Sequence, residues 1–338
     1  MKAAIYNGQL DIVVAELDTP ECGPRDVLLR TLHAGICGSD VKVYRHGPEG
    51  HQILRGSEFG HEVVAEVAEV GSEVTGLRVG ERVYPYPLSV KGDPGRAGCF
   101  GGFSEFILVP NCQVGEQVFK VSDKISTPVA AMIEPFTVAH RAVRRTRPQA
   151  GEKAFVFGAG TIGIGAAVAL KSFGVSEVLV ADVSDFRLEK AAGLGFHTCN
   201  PERQDPAQRA AEVFGEVHSL MGSAPDVDIY VEAAGPDALI GTIQSMAKPG
   251  SRIAAVAVHS RPVPVNMLQL TYGEQELIGP GGYRPEDVRD VMKIMESGSF
   301  DLGSIITHVY GIDRIVEAIE KAGDIGSALH VAIGYRSI

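Results

Sequence analysis

Four side chains of the metal-binding type lie in the first half of the chain. Cys37 opens the run Cys-Gly-Ser-Asp, His61 and Glu62 stand side by side further along, and Glu134 precedes a proline. Thiolate, imidazole and carboxylate are zinc ligands, and three protein ligands with one open position make a catalytic zinc site. Taken singly, they also fit a buried cysteine, a satisfied core histidine and a carboxylate at a helix start.

A glycine-rich stretch over residues 155–182 is the second chemical feature. An apolar strand leads into Gly158, Gly160 and Gly163, an alanine-rich helix follows, and a second apolar strand ends at Asp182. This is the setting of a dinucleotide fingerprint: a tight turn, close approach of the pyrophosphate, close helix–sheet packing, and an acid for the adenosine ribose. Glycines also mark ordinary turns, but the strand–helix–strand context favours the dinucleotide. A nicotinamide cofactor needs an electrophile beside its substrate, which links the two features.

The elements that must position these groups change in kind along the chain. Residues 1 to about 136 contain short alternating runs separated by glycine turns, which predicts a barrel-like β domain. From residue 139 strand and helix patterns alternate, which predicts a doubly wound parallel sheet. A short α/β tail follows, and we expect it to complete the first domain, with the active site in the cleft between the domains.

Bulk composition limits the classes of function. A length of 338 residues predicts two domains, and a net charge of −11 gives no global support for nucleic-acid binding. The basic run 141–147 is interpreted as the solvated face of a helix. We see no signal peptide or membrane span and therefore expect a cytoplasmic protein. Five irregularly spaced cysteines predict no disulfide framework.

At this point the chain resembles the zinc-dependent medium-chain alcohol and polyol dehydrogenases, the family of sorbitol, idonate and threonine dehydrogenases. The motifs that carry the resemblance run in order over nearly the whole chain. They are Gly35-Ile-Cys37-Gly-Ser39-Asp40, Gly60-His61-Glu62, Val70-Gly71, Val79-Gly80-Glu-Arg-Val83, Gly101-Gly-Phe103-Ser-Glu105-Phe, Glu134-Pro135 and Gly158-Ala-Gly160-Thr-Ile-Gly163.

The resemblance implies a β-rich GroES-like catalytic domain, residues 1–136 plus 283–338, and a Rossmann domain, residues 137–282. It implies one catalytic zinc on Cys37 and His61, with Glu62 or Glu134 binding directly or through a water molecule. Asp40 would orient the His61 ring. The implied cofactor-binding residues are Gly158, Gly160, Thr161, Ile162, Gly163, Asp182 and Arg187.

The resemblance also implies a route for the alcohol proton. Ser39 stands where the family has a proton-passing hydroxyl, although a turn residue is the alternative. A histidine is frequent at the place of Lys42, so the relay step there is in doubt unless Lys42 itself relays to solvent. His46 matches a histidine of sorbitol dehydrogenases, and Glu62 completes the catalytic candidates.

Two further departures concern the lobe after the first catalytic segment and the strand after His61. The family often carries four clustered cysteines that hold a structural zinc, whereas residues 85–102 contain only Cys99. We therefore expect a shortened lobe and no structural zinc. Ala65 stands where glycine is common, which a strand tolerates.

Asp182 favours NAD over NADP because it would repel a 2′-phosphate, although Ser184 and Arg187 could partly offset this. The candidate substrate-pocket residues are polar in several cases and fit a substrate with more than one hydroxyl. They are Tyr44, His46, Phe59, Glu105 and Arg284.

The leading hypothesis is zinc-dependent hydride transfer from a secondary hydroxyl of a polyol, sugar acid or cyclitol to NAD. The alternatives are a threonine or amino-alcohol dehydrogenase, a zinc-free quinone or enone reductase, and a catalytically silent nucleotide-binding protein. Family resemblance implies a dimer or tetramer, with contacts expected around residues 252–258 and 260–269.

Overall fold

The structure, a computed structural model, describes residues 1–47, 53–87, 101–220, 222–259 and 261–335. Cys99 and most of residues 85–102 lie outside the described residues. This is the segment where we expect a shortened lobe and no structural zinc. Those two expectations therefore stay predictions.

The first part of the chain consists mainly of strands. Its elements are β1 (Lys2–Gly8), β2 (Asp11–Glu16), β3 (Val27–Gly35), α1 (Gly38–His46), β4 (Ser57–Glu58), β5 (Glu62–Val70), β6 (Arg82–Pro85), β7 (Phe106–Val109), β8 (Val118–Lys120), α2 (Thr127–Ala130) and α3 (Ile133–Arg145).

Strands and helices alternate in the next part. Its elements are β9 (Lys153–Phe157), α4 (Thr161–Ser172), β10 (Glu177–Ala181), α5 (Asp185–Gly193), β11 (His197–Cys199), α6 (Pro206–Phe214), β12 (Glu216–Ser219), β13 (Gly222–Pro225), β14 (Ile229–Glu232), α7 (Leu239–Met246), β15 (Arg252–Ala255), α8 (Met267–Tyr272) and β16 (Glu276–Ile278).

The tail consists of α9, a strand, α10 and a last strand, with two short 3-10 turns. The bounds are α9 (Pro285–Glu296), a 3-10 turn (Leu302–Ile305), β17 (Ile306–Tyr310), a 3-10 turn (Ile312–Arg314), α10 (Ile315–Ala322) and β18 (His330–Gly334).

A parallel sheet in the order β11-β10-β9-β14-β15-β16 forms the centre of the second part, within the described residues. The doubly wound sheet that the sequence predicts is confirmed. The strand order reverses between β9 and β14, and ligands of such sheets bind at the carboxyl ends of the strands where this reversal occurs. β9 lies centrally, and its apolar side chains Phe155 and Val156 are fully buried.

A second, mostly antiparallel sheet carries the first part, in the order β17-β18-β3-β5-β6-β8, with β7 also paired to β3. Glu62 lies opposite Gly35 in the β3–β5 register. The last strand of the chain joins this sheet, since Ala332 pairs with Gly35 and Ile333 with Ala34. The tail therefore packs directly beside the strand that leads to Cys37.

Several elements differ from the sequence-based expectation. The predicted helix over 312–322 is a 3-10 turn followed by α10, and the predicted strand 252–258 ends at residue 255. α6 was not predicted, although Asp205 caps it and Pro206 is its first residue, the usual signals of a helix start. The β12–β13 hairpin was also not predicted, because its exposed strands lack an apolar alternation.

The basic run 141–147 covers the last residues of α3, which ends at Arg145, and the two residues after it, but it is not simply a solvated face. Arg141 is 8 % exposed, and Arg144 Nε lies 3.0 Å from a carboxylate oxygen of Asp287 on α9. His140 Nδ1 lies 3.3 Å from the same oxygen. A buried carboxylate therefore joins α3 to α9 through Arg141 and Arg144, whereas Arg145 and Arg147 are exposed.

Candidate functional site

The predicted metal ligands come from the ends of two paired strands. β3 ends at Gly35, and Cys37 follows as the N-cap of α1. His61 and Glu62 stand at the start of β5, where Glu62 faces Gly35 across the ladder. Asp40, at the third position of α1, accepts a hydrogen bond from the Cys37 backbone N–H at 3.0 Å, which fixes the turn between strand and helix.

One ligand atom from each of Cys37, His61 and Glu62 lies within 4.8 Å of the other two. Among the described residues, the Glu62 Oε2 atom is buried and has no hydrogen-bond partner. An orphaned buried carboxylate oxygen beside a thiol and an imidazole fits a zinc ion in both donor chemistry and need for a cation. The structure thus brings together three of the four predicted ligands.

Electrostatics at this cluster also favour a bound cation. Burial raises the pKa of the Cys37 thiol to about 12, with Asp40 adding to the effect and Ser39 opposing it. Burial likewise raises the pKa of Glu62 well above its ordinary value, and Cys37 is the next cause. A divalent ion would supply the charge that keeps both groups ionised.

Asp40 is buried, and its Oδ1 atom lies 4.0 Å from His61 Nδ1. These two atoms are too far apart for a direct hydrogen bond, so the orienting role that the resemblance implies for Asp40 stays a prediction.

Glu134 lies at the second position of α3 and is 7 % exposed. Its Oε1 atom accepts a hydrogen bond from the Tyr283 hydroxyl at 2.8 Å. Burial raises the pKa of Glu134, and His61 opposes that shift, so this carboxyl is electrostatically close to the cluster. In the described part of the chain it does not belong to the set of ligand atoms within 4.8 Å.

The candidates for proton transfer share one helix. Ser39, Lys42 and His46 are spaced by three and four residues on α1, so they follow one face of the helix. Ser39 and Lys42 are half-buried, and His46, the last residue of α1, is exposed. This face extends roughly 10 Å from the cluster toward solvent.

The four other candidates for the substrate pocket make their contacts elsewhere. The Tyr44 hydroxyl donates to Glu320 on α10 at 3.2 Å, and Phe59 packs edge-on against Phe103 in the core. Glu105 Oε2 accepts from the Lys2 backbone N–H at 2.6 Å.

Arg284 is the N-cap of α9, and its side chain is 63 % exposed with Glu286 at 3.9 Å. None of the contacts just described for these four side chains involves the metal-type cluster. Their assignment to a pocket stays a prediction.

A cavity of about 360 Å³ opens at the switch point of the parallel sheet. Gly158, Gly160, Asp182 and Arg187, all predicted to bind the cofactor, line it. Thr161 and Ile162 are the first residues of α4, whose free N–H groups suit a pyrophosphate.

Gly158 and Gly163 are required by the backbone, whereas Gly160 is not. Gly158 has a φ of +102°, and a Cβ on Gly163 would lie 2.8 Å from the Gly158 carbonyl carbon. The nearest atom to a Cβ on Gly160 would be Arg187 Nη1 at 3.7 Å. The open space over Gly160 therefore fits a phosphate group close to the backbone.

Asp182 and Arg187 are both held in place. Asp182 accepts from the backbone N–H groups of Ala159 at 2.7 Å and Ser184 at 2.8 Å. Arg187 Nε donates to the Ala328 carbonyl at 2.9 Å, and burial lowers its pKa.

The segment before β18 therefore helps to form this cavity at the switch point. Ile325 lines it, and the Ile325 carbonyl accepts from the Ser184 hydroxyl at 2.6 Å. Ile325 and Ala328 carry no motif, so the sequence offers no signal for them.

His330 connects the two halves of the site. Its Nδ1 atom lies 3.4 Å from the Thr161 hydroxyl, at the start of α4. A Cβ placed on Gly35 would lie 2.7 Å from His330 Cε1 and would also contact Glu62 Oε2. His330 and Glu62 therefore lie on the same side of Gly35. Burial lowers the pKa of His330 to about 4. The metal-type cluster and the dinucleotide cavity are therefore separated by about one side chain.

Tyr283 and His330 are functional candidates that the sequence interpretation missed. The run Gly281-Gly282-Tyr283-Arg284 was noticed for its arginine, yet the structure turns the tyrosine inward and the arginine outward. For His330, an isolated histidine in an apolar strand has no distinguishing pattern.

No helix in the described ranges has the length and apolarity that a membrane crossing requires.

Known proteins share this architecture. Residues 23–123 match the alcohol dehydrogenase GroES-like domain, and residues 161–297 match the zinc-binding dehydrogenase domain. The chain is 31 % identical to a (R,R)-butanediol dehydrogenase of Bacillus subtilis (94 % of each chain) and 28 % identical to its sorbitol dehydrogenase (95 % of this chain, 93 % of the relative). The crystal structure of 2R,3R-butanediol dehydrogenase from Bacillus subtilis superposes with a TM-score of 0.85 at 27 % identity, over 99 % of both chains.

Proposed function

The chain belongs to the zinc-binding alcohol dehydrogenase family with a GroES-like domain, and from that membership we propose that it transfers a hydride from a secondary hydroxyl of a polyol, sugar acid or cyclitol to NAD. The observation that carries the proposal is the position of His330. This single side chain lies between Glu62 and Thr161, the first residue of α4. An alcohol held at the cluster would thus lie close to a dinucleotide held at α4. The butanediol and sorbitol dehydrogenases to which the chain is similar support a substrate with adjacent hydroxyls.

Cys37, His61 and Glu62 would hold a single zinc ion, with Asp40 behind the imidazole. When bound, zinc supplies a Lewis acid that polarises the substrate oxygen and lowers the pKa of its hydroxyl. The chain's own contribution is a fixed set of donors at paired strand ends. Because Glu62 Oε2 is buried with no partner in the described part of the chain, Glu62 is favoured over Glu134 as the direct carboxylate ligand.

The alcohol proton would leave along α1. Ser39 lies beside Cys37 in the chain and would accept it first, Lys42 lies one turn further, and His46 is exposed at the helix end. The spacing of these residues on one face supports this order. The proton would thus reach solvent at the exposed end of α1.

NAD is favoured over NADP by the fixed positions of two side chains. Asp182 is held by two backbone N–H groups at the ribose end of the cavity, where its charge would repel a 2′-phosphate. Arg187 is bound to Ala328 and lies beside Gly160, so its guanidinium is directed to the pyrophosphate turn. We expect Asp182→Ser to raise the affinity for NADP relative to NAD.

We further propose the division into a catalytic domain of residues 1–136 plus 283–338 and a Rossmann domain of residues 137–282. We also propose a homo-oligomer, a dimer or a tetramer, with a contact at the edge of the parallel sheet. β16 is the edge strand of the parallel sheet, and beside it in sequence Leu268 and Tyr272 on α8 are 58 % and 70 % exposed. Light scattering should report a dimer or a tetramer that Leu268→Glu weakens, whereas Leu10→Glu, at a similarly exposed leucine of the β1–β2 turn, leaves the assembly intact.

The deciding experiment combines metal analysis with a substrate panel. The wild type should contain one zinc per chain and reduce NAD with polyols, cyclitols or sugar acids. Cys37→Ala should lose both zinc and turnover, while the control Cys112→Ala, at another half-buried free cysteine, keeps both. Turnover by Cys37→Ala together with a zinc-free wild type would indicate a quinone or enone reductase.

Two further outcomes of the panel would also contradict the proposal. Turnover confined to amino alcohols would indicate a threonine-type enzyme, and no turnover with zinc bound would indicate a silent nucleotide-binding protein.

A further inference from the structure

A buried tyrosine from a distant segment holds Glu134. The Tyr283 hydroxyl donates to Glu134 Oε1 at 2.8 Å, and the two residues are 149 positions apart in the sequence. Tyr283 is 6 % exposed and Glu134 is 7 % exposed. A buried carboxylate needs such a donor, because an unsatisfied charged acceptor away from water is costly.

Tyr283 is itself fixed by two tyrosines of the first sheet. The Tyr86 hydroxyl donates to the Tyr283 backbone carbonyl, and the two rings lie 5.1 Å apart. The hydroxyls of Tyr84 and Tyr283 are 3.4 Å apart. Tyr84 belongs to β6 and Tyr86 follows that strand directly. The position of the Tyr283 hydroxyl is therefore determined by the sheet that also carries Glu62.

Glu134 is close enough to the metal-type cluster to act on it but is held beside it. Its charge acts on Cys37 and Glu62, and His61 acts on Glu134. Nevertheless the ligand atoms of Cys37, His61 and Glu62 form a set that, in the described ranges, does not include Glu134. A second acidic side chain so near a zinc site could occupy the open coordination position that a catalytic site keeps for its substrate.

We propose that Tyr283 is a positioning residue, whose hydroxyl keeps Glu134 out of the ligand set so that the open position stays available to the substrate hydroxyl. The inference rests on the proposed function. The bond to Tyr283 gives the Glu134 carboxylate a partner that it would otherwise find in the metal ion. Hydrogen bonds to charged groups are strong enough for a change of about 10- to 100-fold in a competing equilibrium when they are removed.

The test compares Tyr283→Phe with the wild type after zinc has been replaced by cobalt. Without its donor, Glu134 should coordinate the metal, and the visible absorption of the substrate-free cobalt enzyme should change. The KM for the alcohol should rise by about 10- to 100-fold, because the substrate must displace Glu134. KM for NAD should stay unchanged.

Two companion variants make the test specific. Adding Glu134→Gln to Tyr283→Phe removes the competing charge, so the double variant should return to the spectrum and KM of Glu134→Gln alone. Tyr230→Phe removes a buried tyrosine hydroxyl that has no hydrogen-bond partner among the described residues, and it should leave both readouts at the wild-type values.

A wild-type spectrum and KM in Tyr283→Phe would overturn the inference, as would additive effects of the two substitutions. If Tyr283→Phe does not fold, Tyr86→Phe, which frees the Tyr283 backbone, should give a smaller change in the same direction, and an unchanged spectrum there would refute the idea. A wild type that binds no metal or oxidises no alcohol would instead refute the proposed function itself.

Discussion

Replacing Gly160 by alanine should weaken NAD binding, whereas replacing Gly163 by alanine should destabilise the fold. Gly160 is the N-cap of α4 and Gly163 lies in the first turn of that helix, and neither has a positive φ. A Cβ on Gly163 would stand 2.8 Å from the Gly158 carbonyl carbon, where ordinary contact begins at 3.4 Å. A Cβ on Gly160 would meet nothing closer than 3.7 Å.

These distances separate stability from binding. Gly163→Ala must force helix and strand apart, and overpacking of this kind costs about 3 kcal/mol, at the upper end of the usual range. Gly160→Ala fits the free protein and should change its stability by less than about 1 kcal/mol, in either direction. Its methyl group occupies the space of the pyrophosphate, so NAD affinity should fall by roughly 10- to 100-fold, which corresponds to about 1.4–2.8 kcal/mol.

Urea unfolding of the free proteins and fluorescence titration with NADH measure the two quantities separately. Gly193→Ala, with nothing within 4 Å of the new methyl group and a position at the end of α5, serves as the control. The reasoning is refuted if Gly160→Ala loses as much stability as Gly163→Ala, or if Gly160→Ala binds NADH as the wild type does.

Three other predictions concern stability and the metal site. His330→Gln should reduce the loss of stability between about pH 6.5 and pH 4. Burial lowers the pKa of His330 to about 4, so in that pH range only the unfolded chain takes up a proton at this position. The wild type should therefore lose on the order of 3 kcal/mol of unfolding free energy through His330, which urea unfolding at both pH values would detect. Asp287→Asn should destabilise the protein by about 3 kcal/mol at pH 7, measured by the same method, because Arg141 and Arg144 lose their buried counter-charge and Arg144 keeps only the more exposed Asp290. Burial opposes ionisation of Asp287, but the hydrogen bond with His140 and the charge of Arg144 lower its pKa below its ordinary value. The difference in stability should therefore be complete above the ordinary pKa of an aspartate and vanish as pH falls through the native pKa; a difference that persists in acid contradicts this. Gly35→Ala should weaken zinc binding at least about tenfold in a chelator competition, because the new methyl group would meet Glu62 Oε2 before any other atom and displace this carboxylate; unchanged zinc affinity would contradict a role of Glu62 as a ligand.

The parts of the site that the sequence predicted are the parts built from local contacts. The turn from β9 to α4 and the acid at Asp182 belong to one short stretch of chain, so the spacing of the glycines carries the geometry. Cys37 and His61 are also near each other in the sequence, and they meet through one pair of antiparallel strands. In both cases a strand pattern and a turn residue are visible in the sequence.

Contacts between residues that are far apart in the sequence have no comparable sequence pattern. Tyr283 reaches Glu134 over 149 residues, and Arg187 reaches Ala328 over 141 residues. Neither partner repeats or follows a period, and each is of a residue type that occurs in any core or loop. Arg284 was preferred to Tyr283 because charge is conspicuous in a sequence, whereas burial is decided only when the elements pack.

The pairing of β18 with β3 has a consequence for biosynthesis. Gly35 leaves the ribosome long before its partner Ala332, and at about 5–20 residues per second the delay is roughly 15 to 60 s. During that time the parallel sheet can form, while the end of β3 over residues 33–35, next to Cys37, lacks its β18 partner. The interval before β18 arrives is therefore when this end of β3 is open to chaperones or to another copy of the chain.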